Sequence, residues 1–218
     1  KIILDMMKKS NEILKNHPVN IKRIERGLRP ANSIWIWGEG KKPALSSFHD
    51  KYQLNGSVIS AVDLIKGIGL CAGLRTVEVE GATGNIHTNF AGKARAAVEE
   101  LKKGQDFVYV HVEAPDECGH RYEIENKVKS IELLDTQVIK IIKEELDKLG
   151  EDYKMMILPD HPTPLKLRTH TSDPVPFVIY QNKYITPHEE VTGYDEFSAQ
   201  KTGIYFAEGF KLMDYFIG

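Results

Sequence analysis

The sequence predicts an α/β protein with a mostly parallel sheet flanked by helices, and two observations support this fold class. Apolar runs of strand length alternate with segments of helical periodicity, which is the pattern of βαβ units. Aspartate and histidine also stand shortly after two of these runs, where ligands of open α/β sheets bind. The predicted strands are residues 34–37, 75–80, 107–112, 154–158 and 175–180. In the first, Trp35 and Trp37 are expected to face the core.

The helices follow from apolar residues at spacings near 3.6 and from glycines at their ends. We predict helices over residues 1–15, 60–66, 90–103, 124–149 and 205–217. Gly67 and Gly69 are expected to end the second of these helices. Gly104 and Gly150 follow the third and fourth, where glycine commonly ends a helix.

Composition excludes several classes of protein. The chain has 218 residues, 41% of them hydrophobic, and its 29 Lys+Arg against 31 Asp+Glu give a net charge of −2 without a basic block. This balance argues against a nucleic-acid partner. The apolar runs are far shorter than the roughly 18 residues of a membrane span, so we expect no membrane partner. Two cysteines, Cys71 and Cys118, are too few for a disulfide scaffold and favour the reducing cytoplasm.

Two breaks in composition suggest how the chain is organised. A Gly-Leu-Arg-Pro turn at residues 27–30 is the predicted boundary between an N-terminal helical piece and the alternating core. Residues 181–198 contain proline, glycine and several acids and are predicted to form a surface connection. The chain begins with Lys1 rather than with methionine.

Side chains that bind metals are concentrated after the predicted strands. Asp116 and His120 follow residues 107–112, and Asp160 and His161 follow residues 154–158. A third element with His170 precedes the last predicted strand. Because ligands of open α/β sheets bind outside the carboxyl ends of the strands, we expect these three loops to converge.

Carboxylate and imidazole together are ligands of zinc, manganese and iron. One aspartate and two histidines suit one divalent ion, so five such groups could begin two sites. Two ions about 3.5 to 4 Å apart are used for in-line phosphoryl displacement. The alternative is that a pair such as Asp160 and His161 only caps the turn after its strand.

Three segments resemble the archaeal-type cofactor-independent phosphoglycerate mutases, which are metalloenzymes of the alkaline phosphatase superfamily. They are residues 107–120 (FVYVHVEAPDECGH), 158–164 (LPDHPTP) and 170–177 (HTSDPVPF). Residues 31–38, 60–69 and 80–84 also match, so the resemblance extends from about Asn32 to the C-terminus. It implies an alkaline phosphatase-like core. Some bacterial relatives are called proposed homoserine kinases.

The resemblance also implies a mechanism. Two divalent ions, Mn²⁺ or Zn²⁺, and a phosphoserine intermediate interconvert 3-phosphoglycerate and 2-phosphoglycerate, a step of glycolysis, without 2,3-bisphosphoglycerate. Asp116, His120 and His170 match the family's ligands of the first ion. Asp160 and His161 match ligands of the second.

The sequence departs from the family in one respect. The family completes its second metal site with an aspartate of an Asp-Gly motif near the N-terminus and with the nucleophilic serine, and neither has a match here. We therefore expect no catalytic nucleophile in this chain, an incomplete core and a missing N-terminal portion of the same protein as its partner. Residues 1–30 are then the helical tail of an inserted substrate-binding domain, and residues 31–218 are the C-terminal part of the metalloenzyme core.

Lys66 and Arg29 are candidates to bind a small phosphorylated substrate, as basic residues of this family do. The alternative is a surface lysine and an arginine that only flanks a turn. Two other functions stay open. One is a phosphotransferase or phosphatase acting on another small phosphorylated metabolite, including the proposed homoserine kinase role, although the lack of a Walker-type ATP loop argues against a kinase. The other is a metal-binding fragment without catalytic activity.

Overall fold

The computed structural model describes residues 1–38, 40–184, 191 and 193–218. They form two compact units, Lys1–Pro43 and Ala44–Gly218. The turn at residues 27–30 lies within the first unit, and the assignment of residues 1–30 to an inserted domain stays a prediction. Most of the central part of the predicted surface connection, residues 185–190 and 192, lies outside the described residues.

The first unit contains two helices, α1 (Ile2–Lys15) and α2 (Pro18–Glu25). The predicted first helix is therefore present. His17 caps α2, because its Nδ1 accepts a hydrogen bond from the backbone of Val19. Pro18 occupies the first turn, where a missing N–H costs no helical hydrogen bond.

The strand predicted at residues 34–37 is wrong. These residues have no regular secondary structure, and Trp35 and Trp37 are 80% and 82% exposed. The reason is local: the backbone N–H of Ile34 donates to Ser10 Oγ in α1 instead of to a neighbouring strand. The alternating apolar residues at 34–37 therefore belong to an irregular segment that is hydrogen-bonded to α1, and not to a strand.

The second unit contains a parallel sheet of three strands in the order β2, β1, β3. The strands are β1 (Gly56–Ile59), β2 (Arg75–Val77) and β3 (Phe107–Val110). In the central strand, Val58 pairs with Thr76 on one side and with Tyr109 on the other. This strand was not predicted, because only two of its four residues are apolar. The predictions of β2 and β3 are confirmed.

The described residues of the second unit also contain eight helices. They are α3 (Phe48–Tyr52), α4 (Asp63–Cys71), α5 (Phe90–Lys102), α6 (Ala114–Arg121), α7 (Ile124–Leu134), α8 (Lys140–Leu149), α9 (Glu196–Lys201) and α10 (Lys211–Ile217). A π-helical turn at Asp135–Ile139 joins α7 to α8, so the long predicted helix is present with one irregularity. The predicted C-terminal helix is shorter than expected. Phe90, Ala94, Ala114 and Val138 form the centre of the core.

Helix α4 continues through both glycines that were expected to end it, so that prediction is wrong. Gly69 is required for packing rather than for termination: a Cβ atom there would lie 2.5 Å from Val58 Cγ1 in the central strand. Gly67 has no atom within 4 Å of an added Cβ. The chain turns only at Gly73, whose φ of +77° is readily adopted by glycine.

Two further strands, β4 (Lys154–Ile157) and β5 (Val178–Gln181), pair in an antiparallel sheet of their own. Both were predicted, but as part of the mostly parallel sheet. The α/β class and the parallel sheet flanked by helices are confirmed. None of the helices in the described part of the chain is long and apolar enough to cross a membrane.

Candidate metal centre

Helix α6 places two predicted ligands side by side. It begins shortly after β3 with Ala114 and Pro115, and a proline in the first turn of a helix needs no hydrogen-bond partner. Asp116 and His120 are four residues apart and therefore lie on one face of the helix. The distance from Asp116 Oδ2 to His120 Nε2 is 3.4 Å.

His170 completes the first set of ligands. Its Nε2 lies 3.3 Å from Asp116 Oδ1 and 3.0 Å from His120 Nε2. The ligand atoms of these three residues all lie within 4.8 Å of one another. The structure thus brings together the three residues that were assigned to one ion.

The hydrogen bonding of His120 leaves its Nε2 free to bind a metal ion. Its Nδ1 lies 2.9 Å from the backbone oxygen of Arg168. Because a carbonyl oxygen can only accept, Nδ1 carries the hydrogen, and Nε2 of the neutral ring presents a lone pair to Asp116 and His170. Metal-ligating histidines commonly make such a hydrogen bond through their other nitrogen. The guanidinium of Arg168 lies 4.8 Å from the ring centre of Tyr122.

Asp160 and His161 follow β4 and lie beside the first set. Asp160 Oδ2 is 3.4 Å from His161 Nε2. The ring of His161 stacks on that of His170, with centres 3.6 Å apart and planes inclined by 29°. The five predicted ligands therefore converge, although α6 follows a strand of one sheet and Asp160 and His161 follow a strand of the other.

Thr163 connects the two sets and was not singled out from the sequence. Its hydroxyl donates a hydrogen bond to Asp116 Oδ1. The same oxygen lies 3.3 Å from His161 Nδ1. Thr163 follows His161 by two residues, but this spacing alone could not show contact with α6.

A buried polar network lies behind the end of β3 and was also missed. Lys93 is 1% exposed and donates a hydrogen bond of 3.0 Å to the backbone oxygen of His111. Burial lowers the pKa of Lys93 to about 8. Burial also raises the pKa of Glu113, and the nearby Glu117 adds to this effect.

His111 itself lies at this boundary between core and site. Its Nδ1 is 3.2 Å from Ser60 Oγ, and that oxygen also accepts the backbone N–H of Val62. Burial lowers the pKa of the His111 ring. This half-buried, hydrogen-bonded histidine supports the loop before α6 and offers no free nitrogen on the Ser60 side.

The two predicted substrate-binding residues lie in different units. Lys66, in α4, forms an ion pair with Glu78 at distances of 2.7 and 2.9 Å from Nζ to the two carboxylate oxygens. Arg29 belongs to the first unit, where its backbone oxygen accepts a 2.9 Å hydrogen bond from Arg23. Substrate binding by either residue stays a prediction.

The donor set of the first group fits a divalent ion. Asp116 contributes carboxylate oxygens, and His120 and His170 contribute imidazole nitrogens, which together suit Zn²⁺ or Mn²⁺. Within the described residues, Glu113, Asp116 and Glu117 form the second combination of possible ligands. It contains carboxylates alone, and exposed acidic groups commonly cluster without an ion.

Comparison with known proteins identifies relatives over nearly the whole chain. A protein of Geobacter sulfurreducens, named as a probable 2,3-bisphosphoglycerate-independent phosphoglycerate mutase, is 50% identical over 212 residues, which are 97% of this chain and 52% of that protein. The 2,3-bisphosphoglycerate-independent phosphoglycerate mutase of Methanothrix thermoacetophila is 47% identical over 97% of this chain and 53% of its own length. The chain thus spans about half the length of these curated relatives.

Solved structures support the same fold. A protein from Pyrococcus horikoshii, 32% identical, matches with a TM-score of 0.73 over 92% of this chain and 51% of its own. The cofactor-independent phosphoglycerate mutase of Thermoplasma acidophilum, 24% identical, matches with a TM-score of 0.57 over 97% of this chain and 49% of its own. The model of the metalloenzyme superfamily matches residues 3–210, and the chain therefore belongs to that superfamily.

Proposed function

We propose that the protein to which this chain belongs interconverts 3-phosphoglycerate and 2-phosphoglycerate by phosphoryl transfer with two divalent ions. The observation that carries the proposal is the convergence of Asp116, His120 and His170, with ligand atoms within 4.8 Å of one another. The names of the curated relatives supply the substrate. Those names also support independence from 2,3-bisphosphoglycerate.

Each set of ligands has a proposed role. Asp116, His120 and His170 would hold the ion that faces the substrate, and Asp160 and His161 would contribute to a second ion, with Mn²⁺ or Zn²⁺ as the candidates. Bound divalent ions stabilise the charge on the non-bridging phosphoryl oxygens and activate an attacking hydroxyl. The protein holds the ligands ready for this, because the Arg168 carbonyl orients the His120 ring.

The phosphoryl acceptor in this proposal is a serine. Within the described residues, the hydroxyl that forms hydrogen bonds with the predicted ligands is that of Thr163, and no serine hydroxyl forms one with them. We therefore propose that this chain by itself binds metal but does not turn over substrate. Residues of the same protein beyond this chain would then supply the nucleophile.

Of the two basic candidates, Lys66 lies in the same unit as the predicted metal ligands. It belongs to α4, which follows the central strand, and its side chain is 18% exposed while Glu78 is 78% exposed. Because Glu78 is exposed, solvent screens its attraction to Lys66, so exchange of Glu78 for a substrate phosphate or carboxylate would cost little free energy. Arg29 is proposed only by resemblance. The free thiols of Cys71 and Cys118 favour the reducing cytoplasm as the location.

The direct test is ³¹P NMR of 3-phosphoglycerate incubated with one of two metal-depleted proteins, the product of the whole gene or this chain alone. Each protein is measured without metal and after addition of Mn²⁺. We expect the whole product with Mn²⁺ to form 2-phosphoglycerate without added 2,3-bisphosphoglycerate, and His120→Ala to abolish this. We expect no turnover by this chain alone.

Three results would overturn these proposals. Release of inorganic phosphate in place of 2-phosphoglycerate would indicate a phosphatase. Full activity of the His120→Ala variant would remove His120 from the metal site. Turnover by this chain alone would show that it contains its own nucleophile.

A further inference from the structure

The hydroxyl of Thr163 makes contact with both sets of predicted ligands. It donates to Asp116 Oδ1 in the first set and lies 3.3 Å from His161 Nδ1 in the second. The residue is 5% exposed, so the hydroxyl cannot be a group that a substrate approaches from solvent. Its neighbours are therefore the ligands themselves.

The direction of these hydrogen bonds determines the state of His161. A threonine hydroxyl has one hydrogen, and a carboxylate can only accept, so that hydrogen is committed to Asp116. The contact with His161 Nδ1 is then a hydrogen bond only if Nδ1 carries the hydrogen. In the neutral ring this leaves the lone pair on Nε2, which is the nitrogen that lies 3.4 Å from Asp160 Oδ2.

Contacts of its carbonyl oxygen fix the backbone of Thr163. Its carbonyl oxygen accepts a 2.7 Å hydrogen bond from Lys127 Nζ in α7. Gly119 in α6 allows this close approach, because a Cβ there would lie 2.6 Å from the same carbonyl oxygen. Contacts with two helices thus hold the hydroxyl in place before any ion binds.

We propose that Thr163 is a positioning residue that orients Asp116 for the first ion and sets the tautomer of His161 for the second. The inference rests on the proposed metal centre and deepens it, since one hydroxyl connects the two sets of ligands. Thr163 accepts a hydrogen bond from Nδ1 of His161, just as the Arg168 carbonyl accepts one from Nδ1 of His120. Groups of this kind around metal ligands typically contribute about 10- to 100-fold in metal affinity.

The test compares Thr163→Val, which removes the hydroxyl at nearly constant shape, with Thr163→Ser, which keeps it. Thr136→Val is the matched control, because Thr136 Oγ1 is exposed and, within the described part of the chain, bonds only to the Glu132 carbonyl four residues earlier. Calorimetric titration of the metal-free chain with Mn²⁺ is expected to show about 10- to 100-fold weaker binding for Thr163→Val. The Mn²⁺ affinities of Thr163→Ser and Thr136→Val should remain within about threefold of that of the unaltered chain. This change is far smaller than the loss expected when a hydrogen-bond partner of a metal ligand is removed.

A second readout needs no metal, and its main result comes from the unaltered chain. Long-range ¹H–¹⁵N NMR of the unaltered, metal-free chain reports which ring nitrogen of His161 carries the hydrogen, and we expect Nδ1. Hydrogen on Nε2 would overturn the inference whatever the variants do. In Thr163→Val, judged folded by circular dichroism, the preference for Nδ1 should be lost.

The outcomes separate this inference from the proposed function. If the unaltered chain binds Mn²⁺ and Thr163→Val binds it equally well, the role of Thr163 is wrong and the metal centre stands. If the unaltered chain binds no Mn²⁺ at all, the metal centre is wrong and the role of Thr163 falls with it. Loss of affinity in both Thr163→Val and Thr163→Ser would indicate packing rather than the hydroxyl.

Discussion

His120 and His170 direct their Nε2 atoms towards each other at a distance of 3.0 Å, although 50 residues separate them along the chain. Asp116 lies within 3.4 Å of both nitrogens. Because His120 Nδ1 already carries the hydrogen, its Nε2 is an acceptor, and Asp116 is an acceptor as well. A divalent cation bound between these residues would satisfy all of these atoms together.

Saturating metal should therefore stabilise the chain. An ion that binds only the folded state at 100 times its dissociation constant adds about 2.7 kcal/mol to the free energy of unfolding. We expect Zn²⁺ or Mn²⁺ to raise the melting temperature of the EDTA-treated chain in scanning calorimetry. The same shift in His170→Ala would contradict this, whereas replacement of the exposed His87 should leave the shift unchanged.

Two glycines of α4 should respond in opposite ways to alanine. Gly67→Ala is expected to stabilise the protein by about 0.5–1 kcal/mol, because alanine is the better helix former and the added Cβ meets nothing within 4 Å. Gly69→Ala should cost about 1–3 kcal/mol, because its Cβ would overlap Val58. Urea unfolding of both variants measures the difference. Equal effects would show that α4 does not pack on the central strand as described.

Gly119→Ala should weaken both the fold and the metal centre. The added Cβ would lie 2.6 Å from the Thr163 carbonyl oxygen and 2.9 Å from Lys127 Nζ. We expect a loss of about 1–3 kcal/mol in the free energy of unfolding, since overpacking displaces backbone that cannot yield easily. Mn²⁺ affinity should fall in the same variant, because the displaced residue is bonded to Asp116. Unchanged stability and affinity would contradict the contact between α6 and the Thr163 loop.

The buried amine of Lys93 should make stability depend on alkaline pH. Burial lowers its pKa from 10.5 to about 8 in the folded chain. Between these values the unfolded chain binds a proton that the folded chain does not, so the free energy of unfolding rises with pH. Relative to Lys93→Met, the unaltered chain should gain stability over this range, by at most about 1.4 kcal/mol per pH unit.

Urea unfolding of both proteins at several pH values measures this difference. The comparison with Lys93→Met removes the contributions of other groups that titrate in the same range. Parallel curves for the two proteins would show that Lys93 is not buried as a titrating amine.

The predicted ligands and most helices follow from the sequence because each depends on local information. The apolar run at residues 107–112 places Asp116 and His120 beyond the end of a strand, although the sequence predicted a loop there and the structure has helix α6. Spacing near 3.6 likewise reveals α7 and α8. A strand end followed by aspartate and histidine indicates where Asp160 and His161 lie.

The features that were missed depend on contacts between distant residues. Gly56–Ile59 is a central strand because of its partners on both sides, and its sequence contains only two apolar residues. Gly69 reads as a helix terminator until Val58 is seen against it. Trp35 alternates with isoleucine like a strand residue, but the backbone beside it bonds to Ser10 of a helix. Thr163 and Lys93 gain their importance only from burial beside other elements.

The most direct measurement is the binding of Mn²⁺ to the metal-depleted chain. The decrease in the EPR signal of the free ion reports how much Mn²⁺ is bound. Asp116→Ala is compared with Asp173→Ala, which alters an exposed aspartate three residues after His170. The unaltered chain and Asp173→Ala should each bind at least one Mn²⁺ per chain. In Asp116→Ala the affinity for Mn²⁺ should fall by more than about 100-fold, which is the upper loss typical when a hydrogen-bond partner of a metal ligand is removed. Equal binding by all three proteins would contradict a metal centre at Asp116, His120 and His170.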